Sequence, residues 1–218
     1  MRIALLADMH GNAVAFRAAL ADLEAREPDL IVALGDVAQG GPQPRECVDL
    51  LRALDCPCVY GNSDHFLVTL DPGDEPADER QFETARWSRE QLGDAGLDFL
   101  RSFRPTVQAG RILCCHATPT SNEDVVLPTT DPDTIAQIDA DAVAAGHVHL
   151  QWLRRLGRTL WFCVGAVGIS RYCEYALADA DTLAVEFRRI PFDVDELLAA
   201  ARTAGFPFYE QWAPQWRS

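Results

Sequence analysis

The sequence predicts an α/β fold in which two packed β-sheets carry helices on their outer faces. Two observations lead there. In the first third of the chain, short apolar runs alternate with helical segments, the pattern of βαβ units that build a parallel sheet through right-handed crossovers. In the second half the runs follow one another as hairpins, which a simple doubly wound sheet would not need. The 218 residues are 48% hydrophobic and 24% charged. That is an ordinary globular composition, long enough to bury a core without disulfides, and residues 1–218 read as one domain.

Taken in order, Arg2–Ala7 is a strand whose continuous apolar run suits a strand buried on both faces. Asn12 is the N-cap of a helix reaching about Glu27, with Val14, Leu20 and Leu23 on its packed side. Leu30–Leu34 is the next strand and ends at Gly35-Asp36. Gly40-Gly41-Pro42 forms a loop, Pro44–Leu54 a helix, and Val59-Tyr60 a third short strand ending at Gly61-Asn62. The acidic, Pro/Gly-containing stretch from Asp71 to Asp78 reads as a loop leading to helices near Glu79–Gln91 and Gly96–Ser102. Arg111–Cys115 is a strand, and Thr118–Pro132 is a long irregular stretch of the kind that serves an active site. Asp133–Ile138 reads as a short helix and Ala142–Ala145 as a strand. Thr159–Val164 and Arg171–Ala178 are strands, and Asp179-Ala180-Asp181 turns the chain into the alternating strand Leu183–Ile190. Asp193–Gly205 is a closing helix. The aromatic residues of the tail, Phe206, Phe208, Tyr209, Trp212 and Trp216, call for burial on the domain or in a dimer contact.

Composition excludes several functions. Nineteen basic and 33 acidic residues give a net charge of −14, which argues against affinity for long nucleic acids through phosphate neutralisation. It does not disfavour small phosphorylated substrates, because bound cations reverse the local sign. The seven cysteines lie mostly in apolar stretches and read as buried hydrophobes in a reducing compartment. The N-terminal apolar run is too short for a signal peptide or a membrane span. The expectation is a cytoplasmic protein without a membrane partner.

The histidines carry the functional signal. All five fall in short motifs, Asp8-Met9-His10, Gly61-Asn62-Ser63-Asp64-His65, Cys115-His116 and Gly146-His147-Val148-His149, and the set also holds Asp and Asn, with Gly35-Asp36 alongside. Each motif follows an apolar run, and strand ends of an α/β sheet are where ligand sites gather. In extended chain, residues i and i+2 share a side, so Asp8 with His10, and His147 with His149, can each reach one ion. Mixed imidazole, carboxylate and amide donors suit Mn, Fe, Zn, Co or Ni better than Mg or Ca. The size of the set points to two metals. Ions about 3.5–4 Å apart bind a phosphate between them and acidify a bridging water, so that a metal-bridged hydroxide attacks phosphorus in line.

The set Asp8-x-His10, Gly35-Asp36, Gly61-Asn62-x-Asp64, His116 and Gly146-His147-x-His149 resembles the calcineurin-like metallophosphoesterase superfamily. The segments Val164-Gly165-Ala166-Val167-Gly168 and Phe187–Val194 extend the likeness to the small single-domain bacterial and archaeal phosphodiesterases of that group. The resemblance implies a four-layer αββα sandwich of two mixed β-sheets flanked by helices. It implies one metal on Asp8, His10, Asp36 and His149 and a second on Asp36, Asn62, His116 and His147, with Asp36 bridging. Two divalent transition metal ions are the expected cofactors, manganese first among them.

The chain departs from the family pattern at Ser63, where the motif usually has the histidine that protonates the leaving group or binds phosphate. Losing such general-acid help typically costs about 10²–10⁴-fold, least for good leaving groups. The catalytic set is therefore read as Asp36, Asn62, Ser63, Asp64 and His65. His65 could stand in for the missing histidine or lie on the surface of a helix, and Asp64 could orient Asn62 or a histidine. Asn62 and Arg171 are the expected substrate contacts, with Thr118 and Asn122 as loop residues that could line the pocket. Ala117 replaces a usual glycine and narrows the space beside the metals. The expectation is an enzyme acting on small phosphate esters, diesters before monoesters. Its alternatives are a phosphomonoesterase or nucleotide phosphatase, and a catalytically weak metal-binding scaffold. A homo-oligomer is compatible with either.

Overall fold

The computed structural model describes residues 1–71, 78–135 and 138–217. Strand β1 (Arg2–Leu6) runs into helix α1 (Ala13–Glu24) and returns as β2 (Leu30–Ala33), paired parallel with β1. Asn12 caps α1 as its side-chain oxygen accepts the Ala15 N–H at 3.0 Å, filling one of the unpaired donors of the first turn. Helix α2 (Pro44–Leu54) begins with proline at its first position, where the missing N–H is no loss. Helix α3 (Asn62–Thr69) follows, then α4 (Glu79–Arg101). The two expected helices are joined in α4, which breaks at Gly93 (φ 59°, ψ −177°). Of the acidic loop before it, residues 72–77 lie outside the described residues, and Asp78 caps α4.

The second half forms β3 (Thr106–Ala109), β4 (Ile112–Cys115), β5 (Ala142–Ala145), β6 (Gln151–Leu156), β7 (Thr159–Val164), β8 (Tyr172–Asp179) and β9 (Val185–Pro191). One sheet has the order β2-β1-β8-β9 and the other β3-β4-β5-β7-β6, both mixing parallel and antiparallel pairs. Burial follows the two-residue period of a strand. Ile3, Leu5 and Ala7 face the second sheet, where Ile112, Ala144 and Phe162 meet them. Ala4 and Leu6 face the helix layer with Phe16, Val48, Leu51 and Leu100. The outer face of the second sheet, with Val143, Trp152 and Trp161, is covered by Val126 and the partly buried Ile135 and Ile138. Within that covering segment Pro132–Thr134 forms a 3₁₀ turn. Of the short helix expected over Asp133–Ile138 the described residues show this turn, and residues 136 and 137 lie outside them.

Several expectations change. In place of a strand at Val59-Tyr60, Cys58 and Val59 make isolated bridges, to Ala33 and Arg104, because Pro57 lacks an N–H and α3 starts at Asn62. Strands β3 and β6 were not anticipated. Each is an edge strand joined to its neighbour through a glycine at positive φ, Gly110 (58°) and Gly157 (62°). The aromatic tail packs back on the domain. Phe206, Trp212 and Trp216 are buried against Leu197, Leu198 and Ala201 of helix α5 (Val194–Thr203) and against Val14. The cysteines are free thiols, all buried except the half-buried Cys56. Among the described residues no helix is long and apolar enough to cross a membrane.

Candidate metal centre

Chain segments leaving β1, β2, β4 and β5 converge at one end of the sheets, and Asn62 joins them from the start of α3. The residues that turn inward do so through left-handed backbone. Asp8, His10, Asp36, His147 and His149 have φ of 58°, 45°, 57°, 67° and 55°. The pairs at i, i+2 therefore converge by left-handed kinks past the strand ends, not by extended pleating as expected. Non-glycine residues seldom adopt this conformation, and its concentration here fits strain stored at a functional site. The loops are latched together by backbone bonds: Asp8 N–H to Gly35 O at 3.0 Å, His10 N–H to Asp36 O at 2.9 Å, and Gly146 N–H to His116 O at 2.8 Å.

The predicted ligands come together as two half-sites. In the first, His10 Nε2 lies 3.2 Å from His149 Nε2 and 3.6 Å from Asp36 Oδ2, and His149 Nε2 lies 3.4 Å from Asp8 Oδ1. In the second, His116 Nε2 lies 2.9 Å from Asn62 Oδ1 and 3.5 Å from Asp36 Oδ2, and His147 Nδ1 lies 3.0 Å from Asn62 Oδ1. Asp36 Oδ2 is common to both. Asp8, Asp36 and His116 also hold ligand atoms within 4.8 Å of one another, so Asp8 lies against both halves.

Backbone carbonyls orient the rings. The outer ring nitrogens sit at hydrogen-bonding distance from carbonyl oxygens: His10 Nδ1 to Gln39 O at 2.7 Å, His116 Nδ1 to Leu34 O at 2.7 Å, and His147 Nε2 to Glu123 O at 3.1 Å. An N–H donated outward leaves the other nitrogen a bare lone pair pointing inward, the arrangement that carbonyl partners impose on ligating histidines in metal sites. Burial, then the charge of His116, lowers the pKa of His147 and keeps it neutral. Its inward Nδ1 then faces the oxygen of Asn62, acceptor against acceptor. Asp8 Oδ1 is buried and faces only long contacts to ring nitrogens, His149 Nε2 at 3.4 Å and His10 Nε2 at 3.9 Å, while its Oδ2 accepts the His147 N–H at 3.0 Å. A buried carboxylate oxygen so weakly satisfied is costly, and a cation held between it and the ring nitrogens removes the cost. The donor set fits metal ions.

Burial opposes the charge on Asp36, but His116 and His10 outweigh it and hold its carboxyl below the ordinary value. Burial likewise opposes a charged His116, while Asp36 and Asp8 raise it above 6.5.

The remaining predicted residues divide. Asp64 is fully buried and orients backbone rather than Asn62 or a histidine. Its carboxylate accepts the N–H groups of Asp36 (2.8 Å), Val37 (3.0 Å) and Gly61 (3.1 Å). Ser63 donates its N–H to Asp36 Oδ1 at 2.8 Å, and its hydroxyl is buried beside the same carboxylate. His65 is not brought into the cluster: it is exposed one turn along α3, with its ring 5.6 Å from that of Tyr60. Arg171 is exposed just before β8, on a segment tied to the first ligand loop through Val167 N–H to Ala7 O and Gly168 N–H to Asp8 O, both 2.9 Å. Thr118 and Asn122 line a cavity beside His116. A larger cavity of about 660 Å³, lined by residues such as Ile135, Arg158 and Trp161, contains none of the ligands.

Space around Asp36 is set by glycine. A Cβ on Gly61 would lie 2.1 Å from Asp36 Oδ1, and one on Gly35 (φ 93°) would lie 2.5 Å from Gly61 N. Sequence reasoning missed Gln39, Leu34 and Glu123, which act through carbonyls common to every residue.

Comparison with known proteins bears on the family and the fold. The family model described as calcineurin-like phosphoesterase matches residues 1–194. An uncharacterized protein of Methanocaldococcus jannaschii is 29% identical over 160 residues, covering 69% of this chain and 63% of that protein's own length. The crystal structure of a metallophosphoesterase from Sphaerobacter thermophilus superposes with a TM-score of 0.81 at 26% identity, over 100% of this chain and 98% of that one. A hypothetical protein from Pyrococcus horikoshii OT3 shares the fold, with a TM-score of 0.88 at 20% identity over 99% and 97% of the two chains. With its family match spanning both sheets and every predicted ligand, the chain belongs to the calcineurin-like phosphoesterase family.

Proposed function

We propose that residues 1–218 act as one catalytic unit that hydrolyses small phosphodiesters with two divalent transition metal ions, manganese being the first to test. The observation that carries this reading is Asp36, whose Oδ2 lies 3.6 Å from His10 Nε2 and 3.5 Å from His116 Nε2. Asp8, His10 and His149 complete one ligand shell around that shared oxygen, and Asn62, His116 and His147 complete the other. When bound, such a pair of cations supplies Lewis-acid stabilisation of phosphoryl oxygens and a water acidified toward neutral pH.

The chain's own residues do the rest. Asp64 holds the amides of Asp36 and Gly61, and so fixes the bridging carboxylate and the Asn62 turn in one rigid unit. The buried Ser63 lies against Asp36, donating its N–H to Oδ1 at 2.8 Å, and so supports that carboxylate. Arg171 stands on the segment latched to the Asp8 loop, where it can meet the second ester arm. A serine is a poor acid near neutral pH, so the leaving group departs with little protonation. That favours diesters with good leaving groups. The net charge of −14 restricts substrates to small esters rather than long nucleic acids.

The test is hydrolysis of bis-p-nitrophenyl phosphate and p-nitrophenyl phosphate by metal-stripped protein refilled with Mn²⁺, Ni²⁺, Zn²⁺ or Mg²⁺. The expected result is faster turnover of the diester, with a transition metal. Faster turnover of the monoester would reverse the substrate preference. No turnover of either ester by metal-loaded protein would leave a metal-binding scaffold.

A further inference from the structure

A cavity of about 260 Å³ opens between Tyr60 and the loop carrying Thr118 and Asn122, and His116 forms part of its wall. We infer that this cavity is the subsite for one ester group of the substrate and that it selects an uncharged planar ring, an aryl group or a nucleobase. The inference rests on the phosphoesterase reading above and adds the class of group carried on the phosphate.

His116, shared by the cavity wall and the ligand cluster, places the subsite. His116 closes the cavity on one side and presents Nε2 to Asp36 and Asn62 on the other, at 3.5 and 2.9 Å. A group attached to a phosphate at the ligand cluster therefore has this cavity as its neighbour.

The lining sets the chemistry. The rings of Tyr60 and Phe103, with Pro105 and Pro119, supply flat apolar walls, and such surfaces stack planar groups. Thr118 and Asn122 add neutral polar groups that match the edge of a base. Among the described residues no Lys, Arg, Asp or Glu lines the cavity. A second phosphate or a carboxylate placed there would lack a partner. The volume lies just below the roughly 300–1,000 Å³ of drug-sized sites, which suits one ring system and not both arms of a dinucleotide.

Tyr60 is held to serve as the stacking face. Its N–H donates to Arg104 O at 2.8 Å, Asn62 lies two residues on, and the His65 ring backs it at 5.6 Å. His65 thereby becomes a positioning residue for Tyr60.

The experiment is calorimetric binding of phenylphosphonate and methylphosphonate to the manganese-loaded full chain, for wild type, Tyr60→Phe and Tyr60→Ala. Wild type should bind phenylphosphonate about tenfold more tightly, equivalent to about 1.4 kcal/mol. Tyr60→Phe should keep that ratio. Tyr60→Ala should bring it to about one, with methylphosphonate affinity unchanged as the control for an intact fold and metal cluster. Tyr60→Leu, which keeps bulk without a ring, replaces the alanine variant if that control fails. Equal affinities in wild type, or a ratio that survives loss of the ring, would overturn the subsite and leave the metal centre standing. Binding of neither phosphonate would overturn both.

Discussion

His116 Nε2 lies 2.9 Å from the side-chain oxygen of Asn62, while its Nδ1 is committed to the Leu34 carbonyl at 2.7 Å. A ring that donates outward on one nitrogen presents a lone pair on the other, so this close pair is two acceptors that only a shared cation or an added proton reconciles. Asn62→Leu keeps the approximate volume and removes the acceptor. The variant should lose one metal equivalent. Its diester turnover should fall by at least about 100-fold, the upper end of what loss of a supporting partner costs. Metal content by mass spectrometry, alongside the rate, checks this. Two retained metals would exclude Asn62 as a ligand.

Asp64 works through the backbone. In Asp64→Asn one acceptor oxygen becomes an NH₂ group facing N–H donors, so at least one of the Asp36, Val37 and Gly61 amides loses its partner. An orphaned buried donor costs about 1–3 kcal/mol. Urea unfolding of the metal-free variant should show that loss, and metal affinity should fall about 10–100-fold. Wild-type stability and affinity would mean that these bonds do not hold Asp36.

The tight contact between Gly61 and Asp36 gives a steric test. Gly61→Ala would place a Cβ 2.1 Å from Asp36 Oδ1, and overpacking of this kind costs about 1–3 kcal/mol. The expected outcome is a folded protein by circular dichroism that no longer retains two metals after desalting. Full metal retention would show that the bridging carboxylate can move without consequence.

The residues that gather in this candidate centre were legible in the chain because metal-ligating chemistry depends on side-chain identity. Asp8, His10, Asp36, Asn62, His116, His147 and His149 are rare donor types at the ends of apolar runs. What fixes their rings is not legible, since the carbonyls of Gln39, Leu34 and Glu123 would be the same on any residue. The left-handed kinks at Asp8 and His147 were equally hidden, because tertiary packing imposes them against local preference. In the fold, buried strands such as β1 and β7 stood out by continuous apolar sequence. The edge strands β3 and β6 did not: Gln151-Trp152-Leu153-Arg154-Arg155-Leu156 is only half buried and has a weak alternation.

The metal-free protein should respond to pH with a sign set by His116. Burial opposes its charged form, but Asp36 and Asp8 outweigh burial and raise its pKa above 6.5. A raised pKa in the folded state stabilises the fold fully below the unfolded value and loses that contribution as pH rises through the folded value. Thermal stability of the stripped protein should therefore fall as pH climbs from below 6.5 toward alkaline values. Metal affinity should rise over the same interval, because cations compete with that proton. Paired melting and metal-titration series check both signs. Parallel trends in the two would contradict the assignment.

The most direct test of the account is the number of manganese ions retained per chain after equilibration and desalting, in wild type and in Asp36→Ala. Because both half-sites share Asp36 Oδ2, the account predicts two ions in wild type and loss of both in the variant. Two ions retained without Asp36, or fewer than two in the wild-type protein, would contradict a binuclear centre bridged by that residue.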